Sequence, residues 1–382
     1  MKHSFGLGVD VFTAGLNRLI ELYEQGDRIM VCMSGGKDST ICAELAIMAA
    51  TITKRLPVEI IMRDEEIMFP GTFEYCERLA ARPEVQFHWV TAHQPVLNVF
   101  NRVNPYVWVF DPEVAPEDWV RQPPSICQDI PDMNIEMLVT AKRYPPDEGK
   151  RLIRVLGLRV QESPNRKLGL ISSGGYLTGT DRHGVKSARP IYDWTDGHVW
   201  KAISENGWDF NTAYGTMFRM GVSSRNLRLA PPLQTVAQVN TLQIAANAWP
   251  QWFDKVCDRA PGVRTAAQFG KRAVMPVRRT GETWQDCFQR ECIDEAPAEW
   301  IRERSQTVKE RAIEAHSKRS TEPFPEVKPA RGAINGGCWR QLAHIMYSGD
   351  PFAMKMSAFL KPLEPSFFRT GGGTWGGTPG FS

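Results

Sequence analysis

The sequence lacks the features that mark membrane-spanning, secreted and disulfide-stapled proteins. No apolar run approaches the roughly 20 residues that cross a bilayer. Residues 1–12 contain neither the long apolar core nor the small-residue cleavage site of a secretory signal. The eight cysteines are scattered and include no Cys-x-x-Cys pair, which favours reduced thiols. We therefore predict a cytoplasmic protein with no membrane partner.

The net charge is only +3, but the charges are unevenly distributed along the chain. Residues 142–189 hold eleven Lys and Arg against four Asp and Glu, a local excess of +7. Two interpretations stay open: a solvated basic face, or a pocket for a polyanion such as the phosphates of a nucleotide. A nucleic-acid surface is less favoured, because glycines and apolar residues interrupt the basic ones.

Hydrophobic periodicity predicts strands and helices that alternate along the first 207 residues. The predicted strands cover 28–33, 58–62, 85–91 and 151–159, and the predicted helices cover 12–23, 39–50, 72–82 and 196–207. Asp10 would cap the first helix, and Gly26 would end it. Such alternation is typical of an α/β fold with a doubly wound, mostly parallel sheet and helices on both faces.

The rest of the chain has a different pattern. Residues 101–150 are rich in Pro and Trp, and their periodicity is poor. We predict that they form an inserted loop region within a domain that covers 1–225. Residues 226–370 are predicted to form a helical C-terminal extension, with helices near 236–249, 299–316 and 338–349. The tail 371–382 is too glycine-rich to be ordered alone.

A cluster of small and charged residues, "MSGGKDST" (33–40), follows the first predicted strand. A loop between a parallel strand and the next helix lies at the ligand-binding edge of such a sheet. Glycines bring backbone N–H groups close to an anion, and the helix N-terminus favours negative charge. Lys37 adds a full positive charge. Asp38 would repel a phosphate, so it would orient the loop or help to hold Mg²⁺. The alternative is a polar turn whose glycines serve geometry alone.

The loop differs from the common P-loop, which would need Gly at Val31 and Ser or Thr at Asp38. Instead, "SGGKDS" resembles the PP-loop of the adenine nucleotide α-hydrolase superfamily. The similar branch contains phosphoadenosine phosphosulfate (PAPS) reductases and the small subunit of ATP sulfurylase. Three further segments resemble that branch in the same order, so the resemblance covers about residues 8 to 225. These segments are "RDEEIMFPGTFEY" (63–75), "VLGLRVQES" (155–163) and "ARPIYDWTDGHVW" (188–200).

Two later segments are similar to a PAPS-reductase-like subgroup of phages and mobile elements, which includes prophage co-activators. They are "AYGTMFRMGVSSRNLRLAPP" (213–232) and "CWRQLAHIMYSGDPFAMKMSAF" (338–359). Membership of this subgroup would account for the helical extension. A phage-encoded protein would act in the host cytoplasm.

By this resemblance the chain binds ATP, or a related adenine nucleotide such as PAPS, together with Mg²⁺. The loop would hold the β- and γ-phosphates as a leaving pyrophosphate, while a substrate oxygen attacks the α-phosphate. Lys37, Asp38 and Arg159 are the implied catalytic residues, and Asp38 is the implied metal ligand. The implied nucleotide-binding residues are Met33, Ser34, Gly35, Gly36, Lys37, Asp38, Ser39, Asp64, Gly157, Arg182 and Lys186.

Several of these roles have alternatives that the sequence leaves open. Asp64 would lie by the adenosine or by the metal. Arg159 would steady the α-phosphate or an anionic acceptor, or would form a surface ion pair with Glu162. The basic loop "GTDRHGVK" (179–186), which holds Arg182 and Lys186, would be a lid over phosphates or a solvated loop.

PAPS reduction itself needs a nucleophilic cysteine, which that family carries in a Glu-Cys-Gly-x-His context near its C-terminus. The nearest match here is "RECIDEA" (290–296), where Asp294 and Glu295 would raise the pKa of the Cys292 thiol. We therefore interpret Cys292 as structural, with a redox role as the alternative. An iron–sulfur cluster is disfavoured by the irregular spacing of the cysteines concerned. These are Cys257, Cys287, Cys292 and Cys338.

The first functional hypothesis is an ATP-dependent adenylyl- or sulfur-transferase that releases pyrophosphate. The alternatives are PAPS reductase proper, and a non-catalytic, nucleotide-sensing regulator that contacts a protein or nucleic-acid partner. The sequence does not name the acceptor. Nor does the sequence say whether the protein pairs with itself as a homodimer, although the branch that it resembles often forms homodimers.

Overall fold

The computed structural model describes residues 10–129, 138–229, 231–327 and 337–369, without the side chains of residues 164, 165 and 225. The chain forms two compact units. The first unit holds the residues up to 94 together with 109–231, and the second holds 95–108 together with 232–382. The predicted boundary near 225 lies a few residues before the observed one. The predicted glycine-rich tail, 371–382, lies outside the described residues.

The first unit is built on a six-stranded sheet in which every strand pair is parallel. The strands of this sheet lie in the spatial order β6-β3-β2-β1-β7-β8. In chain order the strands of the protein are β1 (Arg28–Met33), β2 (Val58–Asp64), β3 (Val85–Thr91), β4 (Pro95–Leu97), β5 (Tyr106–Trp108), β6 (Gln128–Asp129), β7 (Leu152–Val155) and β8 (Val185–Ala188). The α/β fold with a parallel sheet is therefore confirmed.

The helices of the first unit connect or flank these strands. They are α1 (Val11–Glu24), α2 (Lys37–Ile52), α3 (Thr72–Ala80), α4 (Pro164–Ser172), α5 (Asp196–Asn206) and α6 (Ala213–Arg219). The predicted cap of α1 is confirmed, because the Asp10 carboxylate accepts hydrogen bonds from the amides of Phe12 and Thr13 at 2.9 and 3.1 Å. Gly26 follows the end of α1 with φ +79°, which suits a residue without a Cβ.

The sheet of the first unit buries apolar side chains on both faces, because successive residues of a strand point to opposite sides. On one face, Val31 and Ile60 pack in a cluster with side chains of α1, α2, α3 and α5. On the other face, Met30 and Ile61 pack with Tyr144, Leu138 and Val139, which come from the segment before β7. Burial on both sides explains why the central strands read as nearly continuous apolar runs.

Residues 101–150 do not form a single inserted loop. Residues 101–108 belong to the second unit, where β5 pairs with β4 in antiparallel register. Residues 109–129 and 138–150 belong to the first unit, and they include β6 at the edge of its sheet. The prediction failed here because strands of three and two residues are too short to show a period of two.

The second unit is helical apart from its hairpin β4–β5. Its helices are α7 (Val239–Ala248), α8 (Pro250–Arg259), α9 (Val263–Phe269), α10 (Trp284–Gln289), α11 (Glu299–Ser317), α12 (Trp339–Met346) and α13 (Pro365–Arg369). The three helices predicted for this region correspond to α7, α11 and α12. Pro250 separates α7 from α8 and is the first residue of α8, a position that tolerates its missing N–H. Among the described residues, none of the helices combines the length and apolar character needed to span a membrane.

Candidate functional site

The sheet of the first unit changes its direction of growth at β1. From β1 the chain adds β2 and β3 on one side, and later adds β7 and β8 on the other. At such a switch point, the carboxyl ends of neighbouring strands leave a crevice in which α/β proteins bind ligands. A cavity of about 410 Å³ lies where β1 and β7 end. Its lining residues are Cys32, Met33, Ser34, Gly36, Lys37, Asp38, Ser39, Leu156, Gly157, Leu158, Glu162, Arg166, Tyr214, Arg228 and Leu229.

The loop between β1 and α2 turns tightly and leaves amides unpaired. Gly35 has φ +68°, and a Cβ there would collide with Thr72, so both the turn and the close approach require glycine. The amide of Lys37 donates to the Tyr214 hydroxyl at 2.9 Å. Within the described part of the chain, the N–H groups of Gly35, Asp38 and Ser39 have no acceptor. Unpaired amides at a helix N-terminus form a seat for an anion.

Two hydroxyl groups lie beside these amides. The Oγ atoms of Ser34 and Ser39 are 3.1 Å apart, and the Ser39 hydroxyl also donates to the carbonyl of Gly36 at 2.9 Å. Both serines line the cavity. Their hydroxyls can rotate to donate to a bound oxyanion.

The ammonium group of Lys37 is almost completely buried, with its side chain 3% exposed. Its Nζ donates to the carbonyl of Leu227 at 3.0 Å and lies 3.6 Å from Oδ1 of Asp196. Burial lowers the pKa of Lys37, and the carboxylates of Asp38 and Asp196 oppose that shift. A cation held in such a poorly solvated position interacts more strongly with a phosphate than one in water.

Arg159 does not pair with Glu162 through its guanidinium, and it is not itself among the residues that line the cavity of about 410 Å³. Its side chain is 1% exposed, with Nε 2.8 Å from Oδ1 of Asp38 and Nη2 2.8 Å from Oδ1 of Asp196. Glu162 instead forms an ion pair with Arg166. Arg159 therefore joins the first turn of α2 to the first turn of α5, and it positions Asp38.

Asp38 does not fit the implied role of metal ligand. Its carboxylate is engaged by Arg159, and a guanidinium in that position opposes a second cation. Among the described residues, no group of three or more Asp, Glu, His or Cys side chains is arranged to hold a metal ion. A protein-ligated Mg²⁺ site at Asp38 is therefore not supported.

Gly157 lies against the first turn of α2. A Cβ on Gly157 would stand 2.7 to 2.8 Å from the backbone C and O of Asp38 and the backbone N of Ser39. Only glycine lets the segment after β7 approach the loop this closely. The site thus brings together Met33, the loop residues Ser34–Ser39, and Gly157.

Arg182 and Lys186 are not brought to this cavity. Lys186 lies in β8, a strand that the sequence did not predict, and Arg182 lies in the turn that precedes it. Because β8 runs parallel to β1 through β7, the residues before it lie at the opposite, amino edge of the sheet. The expectation of a phosphate lid in this segment is therefore wrong.

Asp64 is also turned away from the cavity. Its carboxylate is 0% exposed and accepts hydrogen bonds from Trp89 Nε1 at 2.9 Å and Arg121 Nη2 at 3.0 Å. Burial raises the pKa of Asp64, while Arg121 and Trp89 oppose the shift. Its chain neighbours Arg63 and Glu65, rather than Asp64, line a ligand-sized cavity. Asp64 therefore stabilises the fold and is not placed beside a nucleotide.

Replacing Asp64 by Asn is expected to lower the free energy of unfolding by about 3 kcal/mol, because it leaves Arg121 partly buried without its counter-charge. The measurement is chemical denaturation of the purified protein. A matched control is Asp209→Asn, since Asp209 forms an exposed ion pair with Arg78, and its loss should stay below about 1 kcal/mol. Equal, small losses in both variants would contradict a structural role for Asp64.

A second cavity of about 380 Å³ adjoins the first and shares its walls at Cys32, Met33, Ser34, Leu156 and Leu229. Its own walls are mostly apolar: Ile61, Met68, Leu138, Val139 and Pro231, with Arg63, Glu65 and Arg154 at the polar positions. Burial lowers the pKa of Arg63 to about 10. An apolar hollow with few polar groups suits a flat heterocycle.

The residues of the first cavity that the sequence did not predict include Arg166, Tyr214 and Arg228. Arg166 lies on α4, which was not predicted, within the basic stretch that suggested a polyanion pocket. Tyr214 and Arg228 belong to the segment 213–232, whose resemblance to a PAPS-reductase-like subgroup carries no prediction of site residues. Their distance along the chain from the loop left no local signal of contact.

The cysteines are buried or partly buried free thiols. Cys292 is 0% exposed, and burial, more than any neighbouring carboxylate, raises its pKa. The cause expected from the sequence, repulsion by Asp294 and Glu295, is not among the causes of this shift, and the carboxylate that contributes is that of Glu291. Among the described residues, the thiols of the second unit do not gather into a metal-binding group. A reactive thiol at Cys292 is not supported.

Comparisons with known proteins give distant similarities. No family model matches the sequence. The chain is 26% identical over 279 residues to an uncharacterized protein of Escherichia coli (strain K12), YbdN, covering 68% of this chain and 67% of that protein. It is also similar in structure to FMN adenylyltransferase of Candida glabrata in complex with ATP (12% identity, TM-score 0.35). That match covers 53% of this chain and 57% of the other, so the chain spans less than two thirds of the adenylyltransferase.

A second similar structure is the PAPS reductase of Candida auris in its phosphate complex. It shows 14% identity and a TM-score of 0.34, over 57% of this chain and 88% of that one. Similarities at this level leave the function to be derived from the geometry of the site.

Proposed function

We propose that the protein binds an adenine nucleotide, with its polyphosphate on the loop between β1 and α2. The observation that carries the proposal is the set of unpaired amides of Gly35, Asp38 and Ser39 at the start of α2. Amides at the start of any helix lack an intrahelical acceptor, but here they lie beside the nearly buried ammonium of Lys37 and the hydroxyls of Ser34 and Ser39. This combination favours an anion site over a turn with a merely geometric role. The adjoining apolar cavity is of a size and character suited to the base.

The proposed reaction is transfer of the adenylyl group to an acceptor, with release of pyrophosphate. An acceptor oxygen attacks the α-phosphorus, and the bond from that phosphorus to the oxygen bridging to the β-phosphate breaks. The departing pyrophosphate takes up negative charge, which the amides, the serine hydroxyls and Lys37 at the cavity would neutralise. Arg159 would act by fixing Asp38 and Asp196, and so the shape of the loop.

Calorimetric titration of the full chain with ATP, followed by assays of pyrophosphate release, tests this proposal. We expect saturable ATP binding, and pyrophosphate release that rises when a suitable acceptor, such as a sulfate-like anion or a nucleic acid, is added. No binding at millimolar ATP would overturn the proposal. Tight binding without turnover for any acceptor would favour a nucleotide-sensing regulator instead.

Thiol-dependent reduction of PAPS is less favoured, because the candidate nucleophile Cys292 is enclosed and its pKa is raised. Sulfite release from PAPS that persists in Cys292→Ser would show that such chemistry does not depend on this thiol.

A further inference from the structure

The segment after α6 is tied to the phosphate loop at two points. The carbonyl of Leu227 accepts from Lys37 Nζ at 3.0 Å, and the Tyr214 hydroxyl accepts from the Lys37 amide at 2.9 Å. One lysine of the loop therefore fixes the segment through both its backbone and its side chain. Arg228 is the next residue after Leu227, so these bonds hold its backbone beside the cavity.

Arg228 differs from the other cations of the cavity in having no partner. Arg166 is paired with Glu162, and Lys37 with Leu227 and Asp196. Among the described lining residues, Arg228 is the cation for which the structure gives no hydrogen bond or ion pair. Arg228 is exposed and lines the cavity together with Lys37 and Arg166. Burial lowers the pKa of both Lys37 and Arg166, and the nearby charge of Arg228 lowers it further.

An unpaired guanidinium at a site of unpaired amides is complementary to a polyanion. Lys37 and Arg166 each use part of their hydrogen-bonding capacity on protein groups, whereas all the donors of the Arg228 guanidinium are available to a further phosphate group. A guanidinium can bridge two phosphate groups through its parallel N–H donors. A monophosphate bound at the loop amides would offer no second phosphate group for this guanidinium to bind.

We infer that Arg228 binds the terminal phosphates of the ligand and selects for ligands that carry at least two linked phosphates. This inference rests on the proposed function. It identifies the Arg228 guanidinium as the group that distinguishes ligands with two or more linked phosphates from monophosphates. The hydrogen bond from Lys37 to Leu227 makes the position of Arg228 depend on the loop itself.

The test compares three ligands by calorimetry: ATP, inorganic pyrophosphate and AMP. In Arg228→Ala we expect the affinities for ATP and pyrophosphate to fall by about tenfold to a hundredfold, the range for a charge-assisted hydrogen-bonding pair. The affinity for AMP should stay within about twofold. Arg228→Lys keeps the charge but lacks the parallel N–H donors of a guanidinium, so it should recover only part of the lost affinity. The matched control is Arg219→Ala, since Arg219 is exposed on α6 and donates a hydrogen bond to Thr216 of the same helix.

Equal binding of ATP and pyrophosphate by Arg228→Ala and the parent would overturn the inference. So would a parallel loss of AMP affinity, which would show that Arg228 maintains the shape of the cavity instead. Binding of pyrophosphate but not ATP by the parent would refute the proposed function while leaving Arg228 assessable with pyrophosphate alone. If the parent binds neither, both proposals fail.

Discussion

Replacement of Lys37 by alanine is expected to weaken ATP binding by about a hundredfold or more, effectively abolishing it. The substitution removes a buried cation beside the unpaired amides, and charge-assisted hydrogen bonds to phosphate are among the strongest in proteins. It also removes the bond to Leu227, which holds Arg228 at the cavity. Both losses act on the phosphate end of the ligand, so the affinity for AMP should change less. Calorimetric titration with ATP and AMP measures the difference.

A second variant separates lost binding from lost folding. Lys37→Met keeps most of the volume and removes the charge. In this variant Asp38 and Asp196 still pair with Arg159, so neither carboxylate is left buried without a cation, which is the loss that makes breaking a buried ion pair costly. We therefore expect Lys37→Met to unfold near the parent's temperature and still fail to bind ATP. Lys201→Ala, which removes an exposed lysine on α5, is the control for charge alone. Unchanged ATP affinity in Lys37→Ala would refute the site.

Gly157→Ala is expected to cost about 1–3 kcal/mol of stability and to disable nucleotide binding. The added Cβ would lie 2.7 to 2.8 Å from backbone atoms of Asp38 and Ser39. A flexible side chain could move aside, but these atoms belong to the first turn of α2. The helix start would be displaced, together with the amides that form the anion seat. Denaturant titration and ATP calorimetry report the two effects.

The matched control is Gly169→Ala. Gly169 lies in α4, and a Cβ there would meet no atom of the described residues within 4 Å. Because alanine favours a helix over glycine, this variant should be equally stable or more stable by up to about 1 kcal/mol. If Gly157→Ala matches Gly169→Ala in both stability and ATP affinity, the close contact between Gly157 and the start of α2 is not needed for nucleotide binding.

The sequence predicted the central strands and their helices because each carries a local signal. β1, β2 and β3 are apolar runs bounded by polar or glycine residues, and α1 has a capping Asp10. The glycine loop was identifiable for the same reason: its glycines, lysine and hydroxyls are contiguous. The unpaired amides could be anticipated from a helix that starts directly after Gly36.

Contacts between distant segments could not be predicted in this way. Asp64 ends β2, and its partner Arg121 comes 57 residues later, so nothing near Asp64 shows that its carboxylate is already paired. The strand pattern does contain a clue, since Ile60, Met62 and Asp64 alternate onto one buried face. Arg159 likewise pairs with Asp38, 121 residues earlier, rather than with its near neighbour Glu162. The placement of Arg228 depends on the whole path of the chain from α6.

The hairpin β4–β5 has a consequence for biosynthesis. Arg102, in the turn of that hairpin, donates to the carbonyls of Glu291 and Tyr347, which follow it by 189 and 245 residues. The indole of Trp300 donates to the carbonyl of Val103. At roughly 5–20 residues per second, the ribosome delivers these partners on the order of ten seconds or more after the hairpin emerges. The second unit therefore cannot complete these contacts until residues up to Tyr347 have been synthesised. Expressing residues 232–382 alone would omit residues 95–108, which belong to this unit.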